Sequence, residues 1–322
     1  MPVIGRRELW LFVSVVILWG INWPMMKMVL AELDFWVFRT YCVLAGLAWF
    51  LGYNLSVGLS LKVPREYWPR LAISALCNVA GWNILSAAGL NMLPSGRAGI
   101  LAYTMPLWVV VLSRFFLGDA LTKLRLIAIT LGMTGIGLLL IDEFQTLKSA
   151  PIGALLMIAS GFVWAFGIVL FKGFPKSIPT TTLMIWSFVL GGWPILVGLI
   201  AVGHGPWLPT GGAAWVGLLF NVLIVFGFCW FAWNELVRAL PAQVTGISSL
   251  AVPIVGFAGG MLVLGEKPHV FDYVALLAIV CAVGLVLKPT RVRRVDKAHP
   301  SAPWSNVASC LLLIKRWIFR RI

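Results

Sequence analysis

Charged residues are scarce in this sequence. Asp, Glu, Lys and Arg make up 11% of its 322 residues, whereas a soluble domain contains roughly 25%. Hydrophobic residues make up 61%, so the chain has too little polar surface to face water on all sides. Nearly every stretch is apolar for about 20 residues, the length of a helix that crosses a bilayer core. The composition therefore excludes a soluble domain and predicts an all-α integral membrane protein.

Residues that build metal sites, disulfides and phosphate loops are also few or poorly placed. The chain has 3 His, and its 5 Cys show no paired spacing and lie in apolar segments, where cysteine behaves as a small hydrophobe. It has no GxxxxGK[ST] phosphate-binding loop, so ATP is not expected to be a direct energy source for this protein. We therefore expect no cofactor, no metal and no catalytic residue, and the protein is not predicted to be an enzyme.

The 11 acidic residues fall at the ends of apolar spans or between them, and Glu235 and Asp272 come closest to the span interiors. Proton-coupled transporters normally carry a carboxylate inside the membrane. If the chain moves a solute across the membrane, then facilitated diffusion, exchange and proton coupling through a carboxylate at a span end all remain open. The sequence favours facilitated diffusion.

The chain does contain an internal duplication. The segment LPSGRAGILAYTMP, which begins at Leu93, matches LPAQVTGISSLAVP, which begins at Leu240. One offset of 147 residues superposes Pro106 on Pro253. Duplication at fixed spacing decides the architecture before any single residue is interpreted.

Ten apolar spans divide equally between the two copies. Because five is an odd number, the second copy enters the membrane in the opposite direction. We predict ten transmembrane helices as two inverted five-helix repeats, at 1–143 and 150–288. Inverted repeats form substrate sites at their shared interface. The predicted spans are 9–29, 34–53, 68–90, 95–116, 123–141, 152–172, 181–202, 213–235, 241–264 and 270–288.

The basic residues set the orientation. With the N-terminus in the cytoplasm, 20 of the 25 Lys and Arg fall on the inner side, and Lys27, Arg39, Arg97, Lys148 and Lys267 fall on or near the outer side. This asymmetry predicts a multi-pass protein of the inner (plasma) membrane with both termini cytoplasmic. The net charge of +14 then reflects orientation, and no nucleic-acid partner is expected.

Residues 289–322 form a basic cytoplasmic tail. Its end mixes apolar and basic residues in the run LLLIKRWIFRRI. One interpretation is an amphipathic helix on the anionic inner leaflet. The other, which the sequence favours, is an appendage without a role in transport.

The chain resembles the EamA family of the drug/metabolite transporter superfamily. The resemblance rests on Trp19-Gly20 with Asn22 and Lys27, on the duplicated Leu-Pro…Gly…Pro…Leu-Gly-Asp/Glu pattern, and on the run 135–140. It implies ten helices in two inverted repeats and a central cavity lined by spans 1, 3, 4, 6, 8 and 9. It also implies export of small metabolites or toxic compounds. The second copy of the first-span motif departs from the pattern, with Phe166 and Gly167 near the position equivalent to Asn22.

Polar and aromatic side chains at mid-depth are the candidate substrate contacts. Facing lipid would be costly for them, so we expect an aromatic-walled cavity with neutral hydrogen-bonding groups. Such a cavity suits a zwitterion with an apolar side chain or a flat cation. The alternative is helix–helix hydrogen bonding by Asn and Ser, with Trp in interfacial belts. The candidates are Trp19, Asn22, Trp23, Asn78, Trp82, Ser86, Tyr103, Trp164, Trp230, Asn234 and Ser248.

Two residue pairs related by the repeat are candidate moving parts. Pro106 and Pro253 lie inside spans, where proline removes a backbone donor and bends the helix. We interpret them as paired hinges, with a static kink as the alternative. Lys27 and Lys172 are predicted to lie at opposite faces of the membrane, and they are interpreted either as gates or as side chains that snorkel to the interface.

These features predict an alternating-access exporter of small metabolites, most of all amino acids or related compounds, with aromatic ones favoured by the tryptophan-rich faces. A drug or quaternary-cation exporter is the alternative, although no buried carboxylate supports it. A membrane-embedded enzyme lacks a reactive cluster, and a scaffold lacks a soluble output domain. The expected partners are a small-molecule substrate and the lipid bilayer, and a monomer is compatible with the sequence.

Overall fold

The computed structural model describes residues 5–93, 101–119, 121–139, 151–252, 254–255 and 270–287. These residues are helical apart from short connections, which confirms the all-α prediction for the described part. The helices are α1 (Arg6–Leu30), α2 (Phe35–Val57), α3 (Trp68–Ala75), α4 (Trp82–Met92), α5 (Met105–Phe116), α6 (Lys123–Leu139), α7 (Pro151–Lys172), α8 (Thr180–Val202), α9 (Gly212–Leu219), α10 (Trp230–Ala239), α11 (Ala242–Ser248) and α12 (Val270–Leu287).

Six described helical stretches are long and apolar enough to cross a bilayer: Arg6–Leu30, Phe35–Val57, Arg65–Leu90, Pro151–Lys172, Thr180–Val202 and Gly212–Ala239. They match predicted spans 1, 2, 3, 6, 7 and 8. The other four predicted spans contain α5, α6, α11 and α12 but run in part over residues outside the described ranges. Ten spans therefore stay a prediction, as does the tail at 289–322, which lies outside the described residues.

The third and eighth spans share an irregularity. A π-helical segment, Leu76–Gly81, joins α3 to α4, and a second one, Phe220–Cys229, joins α9 to α10. In the duplicated sequence these spans are counterparts, so both repeats carry the same local distortion. Such π segments re-aim the side chains that follow them and are frequent at functional sites.

The fourth and ninth spans are interrupted rather than continuous. A turn at 103–104 precedes α5, and a turn at 249–250 follows α11. Pro106 is buried in the first turn of α5, where a missing backbone N–H costs nothing because it would have no partner in the helix. Pro106 thus begins a helix after a break instead of bending a continuous one. Its repeat counterpart Pro253 lies outside the described residues.

Helix packing follows the repeat. The second span packs along its counterpart, the seventh (α2 on α8), and the fifth along the tenth (α6 on α12). The first span packs on the eighth (α1 on α9 and its π segment), and the equivalent contact joins the third to the sixth (α4 on α7). Exchanging the two repeats therefore maps this contact pattern onto itself. The arrangement leaves spans from both repeats facing one another at the centre.

Candidate substrate cavity

A cavity of about 330 Å³ lies between the two repeats, within the usual range of roughly 300–1,000 Å³ for small-molecule sites. Its inner part is lined at mid-span by α1, α4, α7 and α10. It reaches the end of the bundle that carries the α1–α2 connection, where Leu33 and Asp34 line it. Both helix breaks border it as well, through Tyr103 and Ser249. The cavity is therefore built from both repeats and from their interrupted helices.

Indole rings form the inner wall of the cavity. The ring of Trp164 on α7 lies at centroid distances of 6.2 Å from Trp19, 4.9 Å from Trp82 and 5.5 Å from Trp230. Trp19 and Trp164 are counterparts in the repeat, at an offset of 145 residues, and they meet edge to face at an interplanar angle of 72°. Aromatic pairs favour this geometry over a face-to-face sandwich. The wall presents both ring edges and ring faces to an occupant.

Most of the predicted contact residues with described side chains line this cavity. The amide nitrogen of Asn22 donates to the sulfur of Met26 at 3.2 Å, and the amide oxygen is buried without a hydrogen-bond partner. The side chains of Trp23 and Lys27 lie outside the described part. The lining members of the predicted set are Trp19, Asn22, Trp82, Ser86, Tyr103, Trp164 and Trp230.

The structure places Asn78 and Asn234 away from the cavity. Asn78 is buried against Gly167 of α7, where a Cβ atom would meet the Asn78 amide oxygen at 2.1 Å. Gly167 is the repeat counterpart of Asn22, so the departure from the first-span motif makes room for Asn78. The amide of Asn234 donates to the carbonyl of Trp230 one turn earlier, at 2.8 Å. Both side chains thus pack within or between helices and do not line the cavity.

Ser248 also points elsewhere, because it lines a small void with Leu236 and Leu240. The neighbouring residue Ser249 lines the main cavity instead. Adjacent residues of a helix point in directions that differ by roughly 100°, so only one of the two serines can face the cavity. The sequence prediction chose the wrong one of this pair. The turn at 249–250 fixes which of the two serines faces inward, and no sequence pattern marks it.

Sequence reasoning missed the charged lining of the cavity. Arg39 and Asp34 both line it, although Arg39 was placed on or near the outer side and Asp34 at the end of a span. Asp34 caps α2, since its carboxylate accepts the backbone N–H of Trp36 at 2.9 Å. Asn83 was missed too, and it is buried on the α4 face. A charge one turn inside an apolar helix was the available signal for Arg39.

Arg39 lies in an unusual environment for a guanidinium group. It is 6% exposed, and its carbon Cζ lies 4.8 Å from the ring centroid of Phe38, 5.8 Å from that of Phe35 and 5.9 Å from that of Phe226. One terminal nitrogen donates to the sulfur of Met26 at 3.4 Å, and Nε has no hydrogen-bond partner. Among the described residues no carboxylate oxygen lies within 4.0 Å of this guanidinium.

A charged cluster joins the helices at the opposite end of the bundle. Arg7 of α1 pairs with Glu235 of α10 at 3.0 Å. The hydroxyl of Thr180 on α8 donates to the same carboxylate and accepts from Arg238 at 2.6 Å. The amine of Lys172 on α7 donates to the carbonyl oxygens of Val237, at 3.0 Å, and Leu240. We call Arg7, Lys172, Thr180, Glu235 and Arg238 the inner cluster, after the cytoplasmic side on which the basic residues of the sequence predict it to lie.

The connection between α8 and α9 is fastened beside the cavity by Glu32. Its carboxylate accepts the backbone N–H groups of Gly211 and Thr210, at 3.0 and 2.7 Å, and the Thr210 hydroxyl. The Gly211 N–H, followed by that of Thr210, holds the pKa of Glu32 below its ordinary value of 4.5. The hydroxyl of Tyr41 adds a second tie to this connection through the carbonyl of Trp207, at 2.8 Å.

A sequence model of the EamA-like transporter family matches this chain twice, at residues 6–141 and 151–288. The chain belongs to the EamA-like transporter family. The family resemblance and the two-repeat architecture are thereby confirmed. Family membership also confirms that this is a multi-pass membrane transporter of the drug/metabolite type and not an enzyme.

Among curated relatives, an uncharacterised transporter from Bacillus subtilis, YvbV, is 26% identical over 301 residues, which cover 89% of this chain and 94% of that protein. The aromatic amino acid exporter YddG of Ancylobacter novellus is 22% identical over 204 residues, or 62% of this chain and 69% of that protein. A solved crystal structure at 19% identity superposes with a TM-score of 0.74, covering 87% of this chain and 96% of that one. This last likeness shows the fold alone.

Proposed function

We propose that this EamA-family member is an alternating-access exporter of small metabolites, namely amino acids or related compounds. The observation that carries the proposal is the cavity itself. Both repeats build it, both helix breaks border it, and indole rings wall it. Interrupted helices that meet between inverted repeats are the usual setting of a transporter's substrate site. The name of the relative YddG, an aromatic amino acid exporter, supports the same substrate class.

The two ends of the bundle support the alternating-access part of the proposal. The cavity reaches the α1–α2 end, and the inner cluster holds α1, α7, α8 and α10 together at the other end. With both termini in the cytoplasm, as the basic residues favour, the arrangement corresponds to an outward-facing state. Lys172 then acts as a gate residue, since its amine ties α7 to the end of α10. Opening to the cytoplasm requires the inner cluster to separate.

Flux measurements in proteoliposomes test the function. We expect the purified protein to exchange radiolabelled aromatic amino acids, with no signal in liposomes without protein. If collapsing the pH gradient leaves the flux unchanged, the protein works by facilitated diffusion or exchange. Flux of cationic dyes without flux of amino acids would support the alternative drug exporter, which the ring faces and Asp34 in the cavity lining favour. No flux of either class would overturn the transport proposal.

Cysteine accessibility tests the gate. Ser86 lines the cavity, so Ser86→Cys in a background without other cysteines reports which side reaches it. We expect an impermeant maleimide to label it from outside, and Lys172→Met to increase labelling from the cytoplasmic side. Lys123→Met, which changes an exposed lysine at the start of α6, is the matched control. Equal labelling in both variants would refute a gating role for Lys172.

A further inference from the structure

We infer that Arg39, together with Asn22, forms a carboxylate-binding site at the side of the cavity, so that this transporter selects solutes bearing a carboxylate. The inference deepens the proposed function and rests on it. Arg39 was counted in the sequence as a charge of the outer side. The structure makes it a buried wall of the cavity.

Arg39 carries a buried charge without a paired anion among the described residues. Arginine stays protonated in proteins, and a buried charge is stable only when it is paired and hydrogen-bonded. Arg39 is 6% exposed, and its guanidinium has no hydrogen bond at Nε and no carboxylate oxygen within 4.0 Å among the described residues. Ring faces stabilise it in part, but rings accept no conventional hydrogen bond. An anion from outside the chain would supply the missing acceptor.

The sulfur of Met26 is an acceptor shared by Asn22 and Arg39. The Asn22 amide nitrogen and the Arg39 guanidinium both donate to its sulfur, at 3.2 and 3.4 Å. Thioether sulfur is a weak acceptor, so two strong donors converge on an atom that satisfies neither well. A carboxylate has two charged oxygens and accepts a forked pair of N–H bonds from arginine. It would therefore replace the sulfur at a gain in hydrogen-bond strength.

The guanidinium of Arg39 lies beside the aromatic wall of the cavity. Phe226, whose ring faces Arg39, also stacks on Trp230 at 5.6 Å and 29°, so the guanidinium adjoins the indole wall. An occupant can place a carboxylate at Arg39 and an apolar or aromatic body against these rings. The carboxylate of Asp34 also lines the cavity, and one of its oxygens accepts from Trp36. A zwitterion is therefore tolerated, whereas a cation without a carboxylate leaves Arg39 unpaired.

Binding measurements with matched probes test the site. Quenching of tryptophan fluorescence reports occupancy of the indole wall. We expect phenylalanine and 3-phenylpropionate to bind the wild-type protein, and phenylalaninamide, which lacks the carboxylate, to bind at least about 10-fold more weakly. Arg39→Gln should bind phenylalanine and phenylalaninamide with equal affinity. Arg39→Lys should keep part of the preference for phenylalanine, because lysine keeps the charge but loses the forked pair of N–H donors. Asn22→Ala should weaken the binding of phenylalanine and 3-phenylpropionate but not that of phenylalaninamide.

Arg70→Gln is the matched control, because Arg70 also lies over a phenylalanine ring, at 5.8 Å from the Phe174 centroid, but donates to the carbonyl of Gly173 and lies outside the cavity. It should keep the wild-type preference for the acid. Melting temperatures separate binding from folding. A binding role predicts that ligand-free Arg39→Gln melts no lower than Arg70→Gln, whereas a purely structural role predicts a lower value with the acid preference intact.

The inference is overturned if the wild-type protein binds phenylalaninamide as tightly as phenylalanine, if it binds none of the three probes, or if Arg39→Lys and Arg39→Gln keep the full preference. The first of these comparisons uses only the wild-type protein, so a variant that fails to fold does not remove the test. Selective binding of carboxylates without any flux would refute the proposed transport but would support the carboxylate site. Equal flux of phenylalanine and phenylalaninamide would refute the carboxylate site but would support the proposed transport.

Discussion

At the residue scale, the cavity combines large indole surfaces with very few polar atoms. Trp82 lies on the wall at 4.9 Å from Trp164, while Trp10 is 72% exposed on the outer surface of α1. These two residues represent the two interpretations of the many tryptophans, namely cavity lining and interfacial belts. We predict that tryptophans of the first kind meet the substrate and that those of the second kind belong to an interfacial belt.

Replacing Trp82 by Ala should lower substrate flux by about 3- to 10-fold, because one aromatic contact with the occupant is lost. Trp10→Ala should leave flux within a factor of about 2, since Trp10 is 72% exposed and does not line the cavity. Initial rates of radiolabelled amino-acid uptake into proteoliposomes measure both. Equal losses in the two variants would show that the wall does not contact the substrate.

A second residue-scale prediction concerns Gly167. A methyl group there would overlap the Asn78 amide, at 2.1 Å from its oxygen, so Gly167→Ala should destabilise the protein by about 1–3 kcal/mol. Adding Asn78→Ala should recover most of that loss, because it empties the same space. Thermal unfolding in detergent measures both variants. Gly284→Ala, where a Cβ meets open space, is the control, and failure of Asn78→Ala to rescue would contradict the packing explanation.

At the scale of elements, the connections and breaks carry information that a hydrophobic run hides. The π segments and the interrupted fourth and ninth spans all border or adjoin the cavity. The α8–α9 connection is fastened by hydrogen bonds to Glu32, together with the bond from Tyr41 to Trp207. Charged fastening of this kind responds to pH, whereas apolar packing does not.

The α8–α9 connection should loosen only in acid. A lowered pKa means that the Glu32 contacts are fully present above the ordinary value of 4.5 and are lost as the pH falls through the lower value. A nitroxide on His204→Cys, in the same connection, should therefore stay immobile at pH 7 and become mobile well below pH 4.5. With Glu32→Ala it should be mobile throughout, and with Glu66→Ala it should behave as in the parent. Mobility that rises at or above pH 4.5 would contradict the anchor.

At the scale of the whole molecule, the contact pattern is the one expected when two repeats are related by symmetry. Counterpart spans pack along each other, and the first-on-eighth contact has its equivalent in the third-on-sixth contact. Inverted repeats can present nearly equivalent cavities to either side of the membrane. The orientation that the basic residues predict then fixes which side each end of the bundle faces.

That orientation predicts opposite faces for two exposed connections. Lys62 follows α2 and His204 follows α8. In intact cells an impermeant maleimide should label His204→Cys and leave Lys62→Cys unlabelled, while both should react after permeabilisation. Labelling of both in intact cells would refute the predicted topology. Labelling of Lys62→Cys alone would reverse it and make the described cavity reach the cytoplasmic end.

Much of the site followed from the sequence because aromatic residues and Asn at mid-span have few alternatives to facing inward. Trp19, Trp82 and Trp164 were found this way. Arg39 was missed because a charge near a span end ordinarily reaches the aqueous side, and only packing shows that three phenylalanine rings surround it. Ser249 was missed because a local turn sets its direction.

The sequence by itself determined the membrane environment, the duplication and the family, since these depend on composition and on spacing along the chain. Only the tertiary structure decided that a repeat-related pair of tryptophans meets at the cavity wall, that Asn78 fills the space beside Gly167, and that a buried arginine faces the cavity. The physical reason is that these contacts join residues far apart in the chain. Their geometry depends on how helices cross and where they break, and a pattern of residue types does not contain it.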